Sequence, residues 1–179
     1  MSEQSTFEPV LRTARSRMTR RDQRGFYADL EDAGLRPDVT TDIDPARPAP
    51  TDVAELLGVA AETPVLARQR RMSTNSTALQ LATTYFAPSL TTEVPQLAEH
   101  NTGPGGMYSR MEDAGHHLEQ TDEVTSRLPT PSESDALHLN ENETVILITR
   151  VTRDADTGTV LEVTKVTAAA FRNRFVYAI

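Results

Sequence analysis

Hydrophobic residues along the first half of the chain recur with the spacing of helices and of strands in turn. In the opening segment Phe26, Leu30 and Ala33 lie on one face of a predicted helix, and the next segment alternates like a strand with one buried face. Thr51 is predicted to cap a second short helix, which ends at Gly58. The pattern predicts the order helix, strand, helix, strand and strand at residues 24–33, 38–47, 52–57, 64–72 and 78–86.

The second half of the chain repeats this order. A turn sequence from Asp154 to Gly158 predicts a hairpin near its end. Between the halves, a short helix at 96–99 precedes a glycine-rich loop at 102–106. The predicted elements of the second half are a helix at 107–114, a strand at 118–128, a helix after Pro131, and strands at 145–153, 160–167 and 174–179.

The chain contains an internal repeat. The ten residues Gly25–Gly34 return 81 positions later as Gly106–Gly115, with six of the ten identical. Matches continue at this offset, so the two copies extend over about 25–87 and 106–168. Two copies of this length are typical of a duplicated unit within one domain. The seam between two such units is a natural place for a pocket.

These elements predict an α+β domain in which a duplicated α-β-α-β-β unit forms one large antiparallel sheet with helices on one face. We assign residues 24–179 to this domain and residues 1–23 to an Arg-rich arm. Six arginines crowd the stretch 12–24, in which Asp22 is the single acid. The stretch is either an arm that contacts phosphate or connects to a basic module, or a solvated linker. Its basic residues are Arg12, Arg15, Arg17, Arg20, Arg21 and Arg24.

Composition limits the classes of function. The 179 residues are 37% hydrophobic and carry a formal net charge of −8, which argues against DNA binding by this chain unaided. There is no cysteine, no apolar run near the ~20 residues of a membrane span, and no signal peptide at the start. We therefore expect a cytoplasmic protein that does not contact the membrane.

Several segments together resemble the UTRA domain, the effector-sensing part of GntR-type transcription regulators of the HutC subfamily. They occur in the order and spacing of that family, and the resemblance covers nearly all of 25–179. The resemblance implies a fold similar to chorismate lyase, which is itself a duplicated unit. The segments that carry it are 64–72 (PVLARQRRM), 79–86 (LQLATTYF), 102–108 (TGPGGMY), 160–163 (VLEV) and 173–177 (NRFVY).

The resemblance also implies partners. A domain of this family forms a homodimer, binds a small metabolite and passes the signal to a winged helix-turn-helix domain that precedes it. Nothing ahead of Gly25 is long enough for such a domain. We therefore expect DNA to be contacted only through an absent N-terminal domain, whether the chain is a piece of a longer regulator or a natural stand-alone sensor. No cofactor is implied.

The resemblance places an arginine that points at the ligand on the strand 64–72, where Arg70 stands. A guanidinium group suits a carboxylate or phosphate, so the effector is expected to be anionic. Arg68 and Met72 share the face of Arg70 if the strand is regular. The acidic partner of many relatives is replaced by Ala82, which argues against a phosphosugar.

Further predicted ligand contacts lie in three other segments. Gly105, Gly106 and Tyr108 belong to a glycine-rich loop that leads into a helix, where free amides and the helix dipole favour an anion. Such a loop is also common as a plain turn. The resemblance implies a hydrogen-bonding role for Glu162, and a solvated strand carboxylate is the alternative. Thr84 and Glu123 complete the predicted site.

No catalytic motif is present: the chain has no Gly-x-Ser-x-Gly, no His-Glu-x-x-His, no Walker loop and no cysteine nucleophile. His116 and His117 are adjacent, which is poor geometry for a shared metal, so no metal site is predicted. The alternatives to a sensor are a chorismate lyase-like enzyme that holds an aromatic acid between Arg70 and Glu162, and a dimerisation module with an empty pocket.

Overall fold

The computed structural model describes residues 8–13 and 24–177. Short helices and long strands alternate along the chain. The strands are β1 (Val10–Thr13), β2 (Pro37–Pro48), β3 (Pro64–Thr74), β4 (Thr77–Phe86), β5 (Leu118–Arg127), β6 (Val145–Asp154), β7 (Val160–Ala169) and β8 (Asn173–Val176). The helices are α1 (Phe26–Asp32), α2 (Thr51–Leu57), α3 (Pro88–Glu93), α4 (Gly106–Asp113) and α5 (Pro131–Leu137), with 3-10 turns at Pro95–Ala98 and Ala170–Arg172.

Six of the strands form one antiparallel sheet in the order β2-β3-β4-β7-β6-β5. The first three belong to the first copy of the repeat and the last three to the second, so exchanging the copies leaves the order unchanged. The third strands of the two copies, β4 and β7, meet in the middle, where Thr84 lies opposite Thr164. The predicted α+β fold with a large antiparallel sheet is therefore confirmed, and its strand order is that of a duplicated unit.

The prediction that all helices cover one face of the sheet is wrong. Glu162 and Lys165 of β7 point to opposite faces because side chains alternate along a strand. Glu162 meets Tyr108 of α4 on one face, and Lys165 forms an ion pair with Asp52 of α2 on the other. We call the face of Glu162 the front face and the face of Lys165 the back face. Each copy thus contributes one helix to each face, because the edge strand of the copy lies between its two helices in the chain.

Helices pack against both faces of the sheet, so the core extends over both faces. On the front face, Phe26 and Leu30 of α1 pack in one cluster with Met72, Ala82 and Val166. On the back face, α2 and α5 each pack on strands of the other copy, and Glu133 of α5 accepts a hydrogen bond from the Thr167 hydroxyl. Because the two back-face helices pack on strands of the other copy, neither copy has a complete core of its own.

The N-terminal strand β1 pairs in parallel with the C-terminal strand β8. Arg12 of β1 is buried and forms an ion pair with Asp29 of α1, at 2.8 Å between Nε and Oδ2. Arg24 is also buried and pairs with Glu112 of α4 at 2.6 Å. These two arginines are therefore fixed parts of the fold and not of a solvated linker. The other four arginines of the predicted arm, Arg15, Arg17, Arg20 and Arg21, lie outside the described residues.

Local signals differ in how well they locate helix ends. Thr51 does not cap α2: Pro50 occupies the cap position, and no side chain caps it. Thr130 does cap α5, because its hydroxyl accepts a hydrogen bond from the Glu133 amide and the Glu133 carboxylate accepts one from the Thr130 amide. Helix α3 was not predicted, although Pro88 at its first position is a common start signal. Within the described residues, no helix has the length and apolar character needed to cross a membrane.

Replacing Thr130 by Ala should lower the free energy of unfolding by about 1 kcal/mol, because α5 loses its cap. Thr51→Ala is the matched control, since it makes the same change at the start of another seven-residue helix that has no side-chain cap. Urea unfolding followed by circular dichroism measures both variants. Equal losses would show that the capping box does not stabilise α5.

Candidate functional site

A cavity of about 680 Å³ lies on the front face of the sheet, beneath α1, α4 and the loop that precedes α4. Its volume is within the range of small-molecule sites, roughly 300–1,000 Å³. Five arginines line it, and no aspartate or glutamate of the described residues does. The arginines are Arg12, Arg24, Arg68, Arg70 and Arg150.

A polar row crosses the floor of the cavity from strand to strand. Arg68 of β3 lies opposite Thr84 of β4, which lies opposite Thr164 of β7. Thr164 in turn lies opposite Arg150 of β6, and Asp122 of β5 ends the row. Residues directly opposite in an antiparallel sheet share a face. Pairing register alone therefore brings side chains from five strands together.

Arg70 is the least satisfied cation of the cavity. Its Nη2 donates a 3.1 Å hydrogen bond to the Thr84 hydroxyl, and its buried Nε has no hydrogen-bond partner among the described residues. No carboxylate of the described residues forms an ion pair with it. Burial lowers the pKa of Arg70, and the neighbouring Tyr108 and Glu162 oppose this change. Arg70 therefore lines the cavity as expected, and its Nε–H is available to a ligand.

Arg68 has a different task from the ligand contact that was expected. Its guanidinium group donates to the carbonyl of Leu97 at 2.8 Å, to that of His100 at 3.1 Å, and to that of Glu99. These carbonyls lie at the start of the loop that covers the cavity. Burial and the charge of Arg70 lower the pKa of Arg68 to about 10. Arg68 thus holds the loop in place and adds positive charge to the cavity wall.

Glu162 lies behind the cavity wall and does not line it. It is fully buried, and its carboxylate accepts hydrogen bonds from Thr164, at 2.6 Å, and from Thr152. The Tyr108 hydroxyl is 3.5 Å away. Burial raises the pKa of Glu162, against the opposing hydrogen bonds from both threonines. The resemblance implied a hydrogen-bonding role for Glu162, but its neighbour on the same face, Thr164, lines the cavity and Glu162 does not.

Thr84 is likewise a supporting residue. It is fully buried, accepts from Arg70 and is 2.7 Å from the Thr164 hydroxyl. Arg150 was not predicted as a site residue; it donates two hydrogen bonds of 2.7 and 2.8 Å to Asp122. An arginine inside the apolar strand 145–154 was the available signal, since a buried cation needs a partner.

The glycine-rich loop does line the cavity. Gly103, Gly105 and Gly106 have φ of 79°, 75° and 69°, a backbone region that favours glycine. The amides at the start of α4 are not all free, because the Gly106 amide donates to the Gly103 carbonyl at 3.1 Å. Gly105, Gly106 and Tyr108 nevertheless face the same cavity as Arg70. The structure therefore brings these predicted residues together, and ligand binding by them stays a prediction.

The sequence model of the UTRA domain matches residues 23–172. The chain belongs to the UTRA domain family. An HTH-type transcriptional regulator of Streptomyces coelicolor is 32% identical to it over 114 residues, which are 62% of this chain and 42% of that protein. The chain thus spans less than half of the length of this curated relative.

Solved structures show the same fold. PhnF from Mycobacterium smegmatis superimposes on this UTRA domain with a TM-score of 0.74 at 18% identity, over 96% of this chain and 72% of that chain. The separate effector domain of the same PhnF gives a TM-score of 0.67 at 21% identity, over 84% of this chain and 91% of that chain. At these identities, the similarity describes architecture.

Three predicted site residues do not line the cavity: Thr84 and Glu162 lie buried behind its wall, and Glu123 lies away from it. Glu123 is exposed on the edge strand β5, next to the front-face residue Asp122, so it points to the back face. Residues of the first copy were missed instead, above all Tyr27, which lines the cavity. Tyr27 is the repeat equivalent of Tyr108. The repeat itself was the signal that could have found it.

The two adjacent histidines of this UTRA domain precede β5 and have separate partners. His116 lies 2.6 Å from Asp154, and His117 lies 2.6 Å from Asp156. No cluster of three or more potential metal ligands occurs in 8–13 and 24–177. The histidines are therefore accounted for as contacts of the hairpin turn between β6 and β7.

Replacing Arg68 by Met should release the loop over the cavity, because three carbonyls lose their donor. We expect faster amide hydrogen exchange across residues 99–106 and a free energy of unfolding that is lower by about 2 kcal/mol. Arg71→Met is the control, since Arg71 is exposed, points to the back face and contacts only His138 among the hydrogen bonds of the described residues. Exchange that is equally slow in both variants would show that the loop holds its position without Arg68.

Proposed function

We propose that this UTRA domain is the effector-sensing part of a GntR-type transcription regulator of the HutC subfamily, and that its effector is a small anion. The observation that carries the proposal is the excess of positive charge in the cavity. Family membership supports the regulatory role, because a relative is an HTH-type transcriptional regulator. Such a protein acts where the chromosome lies, which is the cytoplasm.

The charge excess follows from the partners of the five arginines. Arg12, Arg24 and Arg150 each pair with a carboxylate of the described residues. Arg68 donates only to backbone carbonyls and Arg70 only to a hydroxyl, so neither charge is neutralised by an ion pair within the described residues. The whole chain has a net charge of −8, so this cavity is opposite in sign to the molecule around it. A cavity of this kind selects an anion by its local field.

Arg70 is the side chain best placed to bind that anion. A buried N–H without a partner costs free energy, and an oxyanion can accept from Nε and a terminal nitrogen at once. The loop at 103–106 and Tyr108 lie on the other side of the same space. Binding would then add hydrogen bonds that the empty cavity lacks.

We further propose that the protein works as a homodimer and that the effector shifts the population of dimer arrangements. Two DNA-reading domains joined to the dimer would change their spacing relative to two operator half-sites. Effector and operator would then affect each other's affinity by the same factor. Arg12 supports a coupling between the cavity and the N-terminal side of the domain, because it lines the cavity from the N-terminal strand β1.

An enzyme of the chorismate lyase type is less well supported. That alternative needs Arg70 and Glu162 on either side of a bound acid. Glu162 is instead fully buried, and each of its carboxylate oxygens already accepts a hydrogen bond from a threonine hydroxyl. The sensor is therefore the function that we propose.

Replacing Arg70 by Gln should weaken the binding of inorganic phosphate at least about tenfold, which corresponds to ~1.4 kcal/mol. Thermal-shift titration measures this, since a ligand that binds only the folded state raises the melting temperature with its concentration. Arg71→Gln changes the next residue, on the back face, and should leave the titration unchanged. Equal phosphate affinity in the two variants would remove Arg70 from the site.

A further inference from the structure

The floor of the cavity is polar at one end and apolar at the other. The row described above, with Thr84 and Thr164, is its polar end. The next row on the front face places Ala82 opposite Val166, which lies opposite Ile148. These three side chains are buried and apolar. Because successive rows are two residues apart along each strand, the change from polar to apolar occurs within one step.

The apolar end continues beyond this row and has an apolar roof. Met72 lies opposite Val39, and both line the cavity. Phe26 of α1 packs in one cluster with Met72 and Val166. Gln80, opposite Met72 on the floor, and Arg12 of β1 also line this end, where Arg12 Nη1 donates a 2.7 Å hydrogen bond to Gln80 Oε1. Apart from this hydrogen-bonded pair, the side chains named above make this end of the cavity apolar.

Arg70 stands at the boundary between the two ends. Its Cα lies opposite Ala82 in the apolar row, whereas its guanidinium group reaches Thr84 in the polar row. An oxyanion held by Arg70 would lie toward the polar end, near Tyr108 and the glycine-rich loop. The remainder of such a ligand would then extend over Ala82 and Val166.

A polyhydroxylated body fits this apolar end poorly. Each hydroxyl of a sugar needs a hydrogen-bond partner once water is excluded, and an unpaired one costs free energy. No carboxylate of the described residues lines the cavity, and side chains such as Val166 and Met72 accept no ordinary hydrogen bond. An apolar body gains free energy from burial against the same side chains.

We infer that the effector is an amphiphilic anion, in which a carboxylate or phosphate is joined to an apolar body such as a ring or a branched chain. This inference rests on the proposed sensing function and specifies its ligand. The cavity of about 680 Å³ has room for such a molecule.

The test compares ligands that share a head group. Isothermal titration calorimetry of the full 179-residue chain uses phenyl phosphate, glucose 6-phosphate and inorganic phosphate as probes. Phenyl phosphate should bind at least about tenfold more tightly than glucose 6-phosphate, because only its body is apolar. Phenylacetate carries a similar ring on a carboxylate and identifies the preferred head. Binding of either aryl anion that is tighter than the binding of glucose 6-phosphate supports the inference.

A matched pair of variants locates the apolar body. Val166→Thr adds a hydroxyl to the apolar row with almost no change in shape, and it should weaken phenyl phosphate at least about threefold while inorganic phosphate is unaffected. Val124→Thr makes the same substitution on the front face at an exposed position of β5, outside the cavity lining, and should change neither affinity. Melting temperatures of both variants establish that they are folded.

The other outcomes separate this inference from the proposed function. Glucose 6-phosphate binding as tightly as phenyl phosphate, in an Arg70-dependent manner, would overturn the amphiphilic ligand and leave the anion sensor intact. Equal weakening by Val166→Thr and Val124→Thr would also overturn it. No saturable binding of any of the four anions would overturn the anion site itself, and with it this inference.

Discussion

The antiparallel pairing of β4 with β7 is the contact on which the rest of the structure depends. It joins the sheets of the two repeat copies into one and sets Thr84 directly opposite Thr164. That register aligns the side chains of the front face into rows. One row runs across four strands and has Arg68 at one end and Arg150 at the other. A slip of one residue would turn every such side chain to the back face. Strand pairing therefore determines which side chains form the floor of the cavity, and the loops only cover it.

Burying several arginines beneath two helices requires that each charge be compensated, and the fold does this unequally. Arg150 and Arg24 have bidentate carboxylate partners, and Arg68 is surrounded by carbonyl dipoles. Arg70 retains an unpaired buried donor. An unpaired group of this kind persists only where the surrounding structure holds it, and such places are often functional. The electrostatic asymmetry within one cluster of like charges thus singles out one side chain.

The sequence predicted the fold better than it predicted the site. Hydrophobic periodicity predicted the helices and strands because it is a local property of the chain. The internal repeat predicted one large sheet because it can be read by comparing the chain with itself. Alternation also placed Arg68 and Met72 on the face of Arg70 correctly, since all three line the cavity. It could not show that the Thr164 hydroxyl donates to the Glu162 carboxylate, because that depends on the orientation of two neighbouring side chains. Nor could it show that the Arg68 guanidinium donates to the carbonyls of Leu97 and His100, because those contacts join distant segments. Arg12 was assigned to an arm for the same reason: its partner Asp29 and the pairing of β1 with β8 are not local.

Duplication explains both the shape of the cavity and its chemistry. Two equivalent helix starts, at Gly25 and Gly106, roof the same space, and each is followed by a tyrosine that lines it. Strict symmetry would give two equal subsites and favour a symmetric ligand. The strands have instead diverged, so that the floor is polar toward Thr164 and apolar toward Met72. A cavity with equivalent roofs and an unequal floor can hold an asymmetric molecule in one orientation, which is a requirement for recognising one metabolite among many anions.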